Sequence, residues 1–276
     1  MRAAAVGHLE WVEFVSVAHV PRCGEIVHAQ DRWEEPGGGG AGGAVQLQKL
    51  AGSAAFFTAL GDDDIGDRAR SFLNATGLRV EAVVRPEPSR RAITFVEPDG
   101  ERTITVLGAR LAPRGQDPLP WEELDGCDAV YFTAGDADAL RAARQARVLV
   151  ATTRILPLLA TAGVYLDAIV GSASDEGELY SDGDLDPRPG LVVMTDGEGG
   201  GWFETAGGRR RTYGAVALRG PVVDRYGAGD SFAAGLTFAL GRRDAVPDAV
   251  HLGARCGAAA VTGRGPYAGQ LRRADL

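Results

Sequence analysis

The chain has 276 residues, 45% hydrophobic and 24% charged, with a formal net charge of −8. That is ample for one large domain, and the acidic balance argues against a nucleic-acid binder, which would carry a basic footprint. A small anionic ligand must then be held locally, by amides, arginine or a metal. Lys49 is the only lysine, and no Gly-x4-Gly-Lys-[Ser/Thr] phosphate loop occurs. Cys23, Cys127 and Cys256 are odd in number and widely spaced, so they form neither a disulfide framework nor a metal-ligand pattern. Residues 1–10 lack the cationic start and apolar run of a signal peptide. No apolar run approaches a membrane span, and a soluble cytoplasmic protein is the expectation.

The first apolar run, Ala3 to Gly7, predicts a core strand. Trp11 to Val17 and Glu25 to Trp33 mix polar and apolar residues as half-exposed strands do, with a turn at Pro21–Glu25 between them. A glycine-rich stretch, Pro36 to Ala44, opens a helical pattern carrying Val45, Leu47 and Leu50. Gly37, Gly39 and Gly42, with Asp62 downstream, satisfy a dinucleotide-binding fingerprint. That fingerprint needs a buried strand directly before it, and Gln30 to Pro36 is too polar for one, so a dinucleotide oxidoreductase is set aside.

Ala54 to Leu60 predicts a strand, and Gly61 to Gly66 opens a helix to about Thr76. Asp62, Asp63 and Asp64 read as solvated acids favourable at a helix start. Arg91 to Glu97 and Arg102 to Leu107 predict a hairpin around Pro98-Asp99-Gly100. From Trp121 onward, strands over Asp128–Thr133, Val148–Ala151 and Tyr165–Val170 alternate with helices over 136–146 and 153–162. That alternation predicts a parallel sheet covered on both faces. Gly171 to Glu178 reads as an acidic helix start. Leu191 to Thr195 is a buried strand leading into a glycine-rich loop, Asp196 to Gly201, and Val246 to Val261 is the last long helix.

Chemistry concentrates in Val223 to Gly235. Gly227 and Gly229 allow a sharp turn and leave the backbone amides uncovered just before a helical segment, Phe232 to Leu240. Amides bunched at a helix start make a seat for an anion. Asp230 at its edge can take a proton from a hydroxyl while the amides hold charge that develops elsewhere. The plainer reading makes Asp230 only the helix N-cap.

Asp224, Gly227, Ala228, Gly229, Asp230 and Phe232 resemble the signature Asp-Thr-x-Gly-Ala-Gly-Asp-x-Phe of the ribokinase-like (phosphofructokinase-B type) carbohydrate kinases, with Arg225 in place of Thr. Further signatures of that family follow in order between Gly7 and about Gly265. Pro21–Glu25 resembles its Pro-x-x-Gly-Glu turn, and Gly37, Gly38 and Ala44 fit Gly-Gly-x-x-x-Asn-x-Ala with Gly42 at the Asn. Gly61-Asp62-Asp63-Asp64-Ile65-Gly66 matches its Gly-x-Asp-x-x-Gly, and Gly100–Thr103 resembles its lid hairpin. Glu176 fits Asn-x-x-Glu with Ala173 at the Asn, where Ser172 or Ser174 is a candidate substitute. Thr195, Gly197 and Gly200 fit the nucleotide loop Thr-x-Gly-x-x-Gly.

The resemblance implies an α/β ribokinase-like fold: a mostly parallel central sheet covered by helices on both faces, with a small β-sheet lid from about 9–35 and 88–108. Residues 1–276 would form a single kinase domain. It also implies an ATP-dependent phosphotransferase acting on an alcohol group of a sugar or sugar-like molecule. A nucleoside kinase and a non-catalytic sugar-binding homologue are the alternatives. By resemblance Asp230 is the catalytic base and Gly227, Ala228 and Gly229 form the anion hole. Thr195, Gly197, Gly200, Asp224, Gly227 and Gly229 would bind nucleotide, and Glu10, Gly38, Gly39, Gly42 and Asp230 the acceptor. Glu176 would serve Mg2+ beside ATP, and use of a monovalent cation such as K+ stays open. The expected partners are small molecules, with no nucleic acid or membrane; a homodimer through the lid stays open.

In the ribokinase branch an Asn and an Asp near the first strand, and a Lys and an Asn in the glycine signature, grip the sugar. Matched without gaps, those positions are Glu10, Val12, Gly39 and Gly42, of which only Glu10 keeps a hydrogen-bonding side chain. Free ribose is therefore expected to be a poor acceptor. A larger or less hydroxylated one would use space released at Gly39 and Gly42, against an apolar wall of Trp11 and Trp33.

Overall fold

Successive side chains of a strand point to opposite faces of its sheet. In β1 (Ala3–Val6), Ala3 and Ala5 join one apolar cluster while Ala4 and Val6 join another. A central strand this small in side chain lets covering helices come close on both sides. The computed structural model describes residues 1–276.

The lid strands come next, β2 (Glu10–Ser16) and β3 (Asp31–Gly37), followed by helix α1 (Gly39–Ala51). Then follow β4 (Ala54–Gly61), α2 (Asp64–Ala75) and β5 (Arg79–Arg85). A hairpin, β6 (Arg91–Val96) and β7 (Arg102–Leu107), completes the lid. The second half runs β8 (Ala129–Phe132), α3 (Ala137–Ala143), β9 (Leu149–Thr152), α4 (Leu156–Ala162) and β10 (Ala168–Ser172). It ends with β11 (Leu191–Thr195), β12 (Gly201–Thr205), β13 (Arg211–Tyr213), α5 (Ala228–Gly241) and α6 (Val246–Ala260).

These strands form a nine-stranded sheet in the order β13-β12-β11-β10-β9-β8-β1-β4-β5 and a four-stranded sheet in the order β3-β2-β6-β7. The large sheet is parallel from β5 to β11, with β12 and β13 added antiparallel at one edge. One face packs on α1, α2, α5 and α6, the other on α3 and α4. The chain leaves β1 towards β4 and β5, then returns to β8 on its other side. Such a reversal of strand order opens a crevice at the carboxyl ends of the strands. The lid keeps its own small core of Val12, Phe14, Ala92, Val96 and Tyr226. Phe14 stacks on Trp33 at 4.8 Å between centroids and meets Tyr226 edge-on at 5.1 Å.

The parallel sheet covered on both faces and the separate β lid agree with expectation. The differences lie at sheet edges. The second lid strand is Asp31–Gly37 rather than Glu25–Trp33, because an edge strand with one wet face tolerates the charges of Asp31, Arg32, Glu34 and Glu35. It leads straight into the glycines, but it belongs to the lid and is not the buried parallel strand a dinucleotide site requires. The charged strand β5 and the short β12 and β13, all towards sheet edges, carry no apolar periodicity strong enough to predict.

Gly7 follows β1 at the reversal point. A Cβ there would sit 2.0 Å from Thr133 Oγ1 and 2.8 Å from the Cα of Gly40. The end of β1, the end of β8 and the start of α1 thus meet with no room for a side chain. Gly7→Ala should cost about 1–3 kcal/mol, the usual range for overpacking a filled core. A drop in the urea midpoint checks this, and an unchanged midpoint would show that the contact relaxes freely.

Candidate active site

Helix α5 begins at Ala228, four residues before the apolar periodicity that marks it in sequence. Its N-cap is Gly227, held at φ 76°, a conformation that glycine adopts without strain. The amides of Ala228, Gly229 and Asp230 donate to no protein oxygen, and Ser231 N is the first to find one, on Gly227 O at 2.9 Å. These are the orphan donors of a helix start, presented as a group. Asp230 therefore lies inside the first turn; the N-cap reading of this residue is corrected, since Gly227 holds that position and no side chain caps the helix.

The Asp230 carboxylate points away from its own helix. Oδ1 accepts a hydrogen bond from the Tyr131 hydroxyl of β8 at 3.2 Å. A Cβ on Gly39 would lie 2.7 Å from the same oxygen, and one on Gly42 would lie 3.7 Å from Asp230 Cβ. The glycines at the start of α1 thus give Asp230 its room. Space at Gly39, assigned above to a bulkier acceptor, is taken up by the carboxylate itself.

Asp230 makes no ion pair, and it keeps only a partial opening to solvent. Desolvation, then the nearby Glu178 carboxylate, raise its pKa to about 6; Tyr131, Arg154 and Arg102 act the other way. The Tyr131 hydroxyl is itself pushed well above its usual value by burial and by Asp230, and it stays a donor.

The other residues divide by what already occupies them. Glu10 is buried, ion-paired through Oε2 with Arg90 Nε at 3.1 Å, and its Oε1 accepts from the Tyr226 hydroxyl at 3.1 Å. That hydroxyl also accepts from the Gly38 amide at 3.0 Å. Asp224 is buried, with its oxygens accepting from the amides of Tyr226 at 2.8 Å and Gly265 at 3.0 Å. It braces the loop that precedes α5. Val12 is fully buried in the lid core and offers a ligand nothing. Trp11 is buried in the main core with its Nε1 donating to Glu34 at 3.2 Å, and Trp33 stacks on Phe14. Neither tryptophan is free to form the expected apolar wall, because each is consumed in holding the lid down.

Glu176 is exposed in a short 3-10 turn, Glu176–Glu178, and makes no ion pair or hydrogen bond. Its neighbours Asp175 and Glu178 both pair with Arg154, Asp175 at 2.9 Å. Ser172 and Ser174 hydrogen-bond to each other at 3.0 Å. No cluster of three or more acidic, histidine or cysteine side chains shaped to hold a metal is present. Thr195 ends β11 with Oγ1 donating to Gly171 O at 3.2 Å, and Gly197 and Gly200 carry positive φ in the turn that follows. Arg225 ties this turn to the lid: its guanidinium meets Glu198 and Glu101, each at 2.9 Å, and its amide donates to Gly100 O at 3.1 Å.

Tyr131, Tyr226, Arg154 and His8 belong to the site but were not singled out from sequence. Tyr226 sits inside the best-matched signature, yet nothing in its spacing shows that its ring reaches Glu10. Tyr131 lies 99 residues from the carboxylate it touches.

The raised Asp230 pKa has a consequence for stability. An unfolded aspartate titrates near 3.8 and the folded one near 6. The fold therefore favours the protonated form: that stabilisation is complete below about pH 4 and is lost as pH rises through about 6. Asp230→Asn should unfold later in urea than the parent at pH 8, by up to about 3 kcal/mol. The difference should narrow at pH 5; a pH-independent difference would mean that the carboxylate is not strained.

The profile described as "pfkB family carbohydrate kinase" matches residues 2–169 and 166–272. An acarbose 7(IV)-phosphotransferase of Actinoplanes sp. is 30% identical over 256 residues, covering 84% of this chain and 82% of that protein. An ATP-dependent ribose-1-phosphate kinase of Halopiger xanaduensis is 27% identical, covering 85% and 83%. The structure of Arabidopsis thaliana ribokinase complexed with ribose and ATP superposes with a TM-score of 0.76 at 19% identity, covering 99% of this chain and 96% of that one.

Proposed function

The chain belongs to the pfkB family of carbohydrate kinases, and we propose that it transfers the γ-phosphoryl group of ATP to a hydroxyl of a sugar or sugar-like molecule, with Asp230 as the general base. The observation that carries this reading is a desolvated carboxylate without an ion pair, in the first turn of a helix whose leading amides are unpaired. That pairing of base and anion seat suits phosphoryl transfer, which depends on positioning and charge stabilisation more than on covalent chemistry.

In this reading the acceptor hydroxyl lies against Asp230, which removes its proton as the oxygen attacks the γ-phosphorus in line. The amides of Ala228, Gly229 and Asp230 face the oxygens on which charge builds. Arg154 and Arg102, both within electrostatic reach of Asp230, add positive field. The nucleotide would lie along Thr195 and the Gly197–Gly200 turn, which Arg225 ties to the base-bearing loop through Glu198. The lid hairpin, tied through Gly100 and Glu101 to Arg225, would keep out water, the competing acceptor.

The donor set fits Mg2+ in the form kinases use, where the ion keeps several waters and takes one or two carboxylates besides the substrate phosphates. Glu176, exposed and unpaired, is the carboxylate free to serve it. Bound there, the ion would neutralise phosphate charge. Glu10 and Asp224 act here as supports of the acceptor and nucleotide loops rather than as free hydrogen-bonding groups.

A phosphotransfer screen across pentoses, hexoses, sugar acids and nucleosides tests the class of reaction. Asp230→Asn should lower kcat by about two to four orders of magnitude, the usual worth of a general base, while nucleotide affinity changes little. The parent's kcat/KM should fall as pH drops through about 6, where Asp230 protonates. A variant retaining more than about a tenth of parental turnover would remove Asp230 as the base.

Gly229 tests the anion seat separately. A Cβ there meets nothing within 4 Å, and its φ is not positive. Gly229→Ala should therefore keep the parent's urea midpoint yet lose turnover, because the methyl intrudes only on a bound phosphate. Full activity in this variant would place the phosphate elsewhere.

A further inference from the structure

At the base of the lid three arginines stand close together, and one of them has no ion-pair partner. Arg90 stands just before β6, and Arg91 of β6 pairs with Leu107 of β7, so Arg110 lies three residues beyond the end of that pairing, at the same end of the hairpin as Arg90 and within reach of its charge. Arg90 is satisfied by Glu10, both side chains being largely buried. Arg154 is satisfied by Asp175 and Glu178. Arg110 has no ion pair and no hydrogen bond. It keeps solvent access, yet desolvation and the charges of Arg90 and Arg154 pull its pKa down, with Glu10 alone opposing them. A guanidinium does not give up its proton in a protein. A cation crowded by two others is relieved by an anion.

His8 marks the same place from below. It follows β1, is 8% exposed, and its Nδ1 is buried without a partner. Burial and the charges of Arg110, Arg90 and Arg154 hold its pKa near 3, so the ring is neutral and does not supply the positive charge. Its Cδ2 and Nε2 lie 3.2 Å from where a Cβ of Gly38 would be, beside the glycines that make room for Asp230. A buried polar atom left unpaired is unfavourable, and a ligand that pairs it recovers part of that cost.

The position of Arg110 separates it from the transferring phosphate. The cations that act on Asp230 are Arg154 and Arg102. Arg110 instead shares its field with Glu10, Arg90, His8 and Arg154, and of these cations Arg154 alone also acts on Asp230. The nucleotide turn lies elsewhere, tied to Arg225.

We propose that the acceptor carries an anionic substituent, a phosphate or a carboxylate remote from the reacting hydroxyl, and that Arg110 seats it beside Arg90, Arg154 and the ring of His8. This rests on the kinase reading of the same site and names its acceptor class. A guanidinium presents paired donors that match either anion, so both chemistries suit the seat. The side chains missing at Val12, Gly39 and Gly42 are those that would hold neutral hydroxyls; the charge at Arg110 replaces them as the source of affinity.

The test measures kcat/KM on the full chain for neutral sugars and nucleosides, for monophosphorylated pentoses and hexoses, and for sugar acids. An anionic acceptor should exceed its neutral parent sugar by about 100-fold or more. Arg110→Met should collapse that ratio by about 10–100-fold, as expected for loss of a charge-assisted hydrogen bond. The phosphate and acid arms then tell which anion is used. Preference for neutral acceptors, or a ratio unmoved by Arg110→Met, overturns the proposal. A second readout is independent of turnover: the rise in melting temperature with inorganic phosphate, without nucleotide, should be smaller in Arg110→Met than in the parent. If no acceptor of either charge is phosphorylated, the kinase reading fails, while a phosphate shift that depends on Arg110 still supports the anion seat. An equal shift in both proteins overturns it.

Discussion

Asp230 is a carboxylate that the fold takes out of water without giving it an ion pair. Desolvation is the largest influence on it, Glu178 adds to the strain, and a hydroxyl from Tyr131 is the only direct hydrogen bond it receives. Holding it there requires α1 and α5 to start side by side. That in turn requires Gly39 to carry no side chain and Gly227 to take a left-handed turn. The end of β1 must also come within contact of Gly40, which Gly7 allows. Much of the glycine around the cleft is explained by one demand: clearing room for this carboxylate. A group held at a raised pKa is a better proton acceptor near neutrality than an ordinary aspartate, and the energy for that comes from the surrounding packing.

The lid is joined to this centre mostly by side chains, with one backbone bond from the Arg225 amide to Gly100 O. Tyr226, in the loop before α5, packs its ring into the lid core and touches both Glu10 and Gly38 with its hydroxyl. Arg225 next to it holds the hairpin tip and the turn after β11. Two adjacent residues thus tie the lid, the glycine loop and the turn after β11 together. The family signature carries Thr where this chain has Arg225, and the substitution gives the loop a charge that spans two elements. The same economy appears at Glu10 and Arg90, where a buried ion pair fixes the foot of the lid.

Much of the architecture was legible in the amino-acid order, for a physical reason. The strands of a parallel sheet are buried on both faces and read as apolar runs, and the helices between them show their own period, so β1, β4, β8, β9 and β11 could be placed closely. Edge strands obey neither rule. Asp31–Gly37 is charged because one face is wet, and Arg79–Arg85 because it closes a sheet. The helix start at Ala228 was masked by small residues that carry no hydrophobic signal.

The site divides along the same line. The glycines, Asp224 and Asp230 stand in a fixed short-range pattern, and a turn followed by a helix start is a local structure, so the pairing of an anion seat with a base could be argued from the chain alone. Which side chains are free and which are spent could not. Glu10, Asp224, Trp11 and Trp33 look available in sequence and are consumed by Arg90, by backbone amides, by Glu34 and by Phe14. His8, Arg90, Arg110 and Tyr131 look ordinary and converge on the cleft. Hydrogen bonds, desolvation and charge depend on distance in space, and these partners come from strands and loops far apart along the chain. The sequence by itself therefore determined the architecture and the glycine-rich start of α5; only the tertiary structure, by bringing remote strands together, decided which groups remain free to meet a ligand.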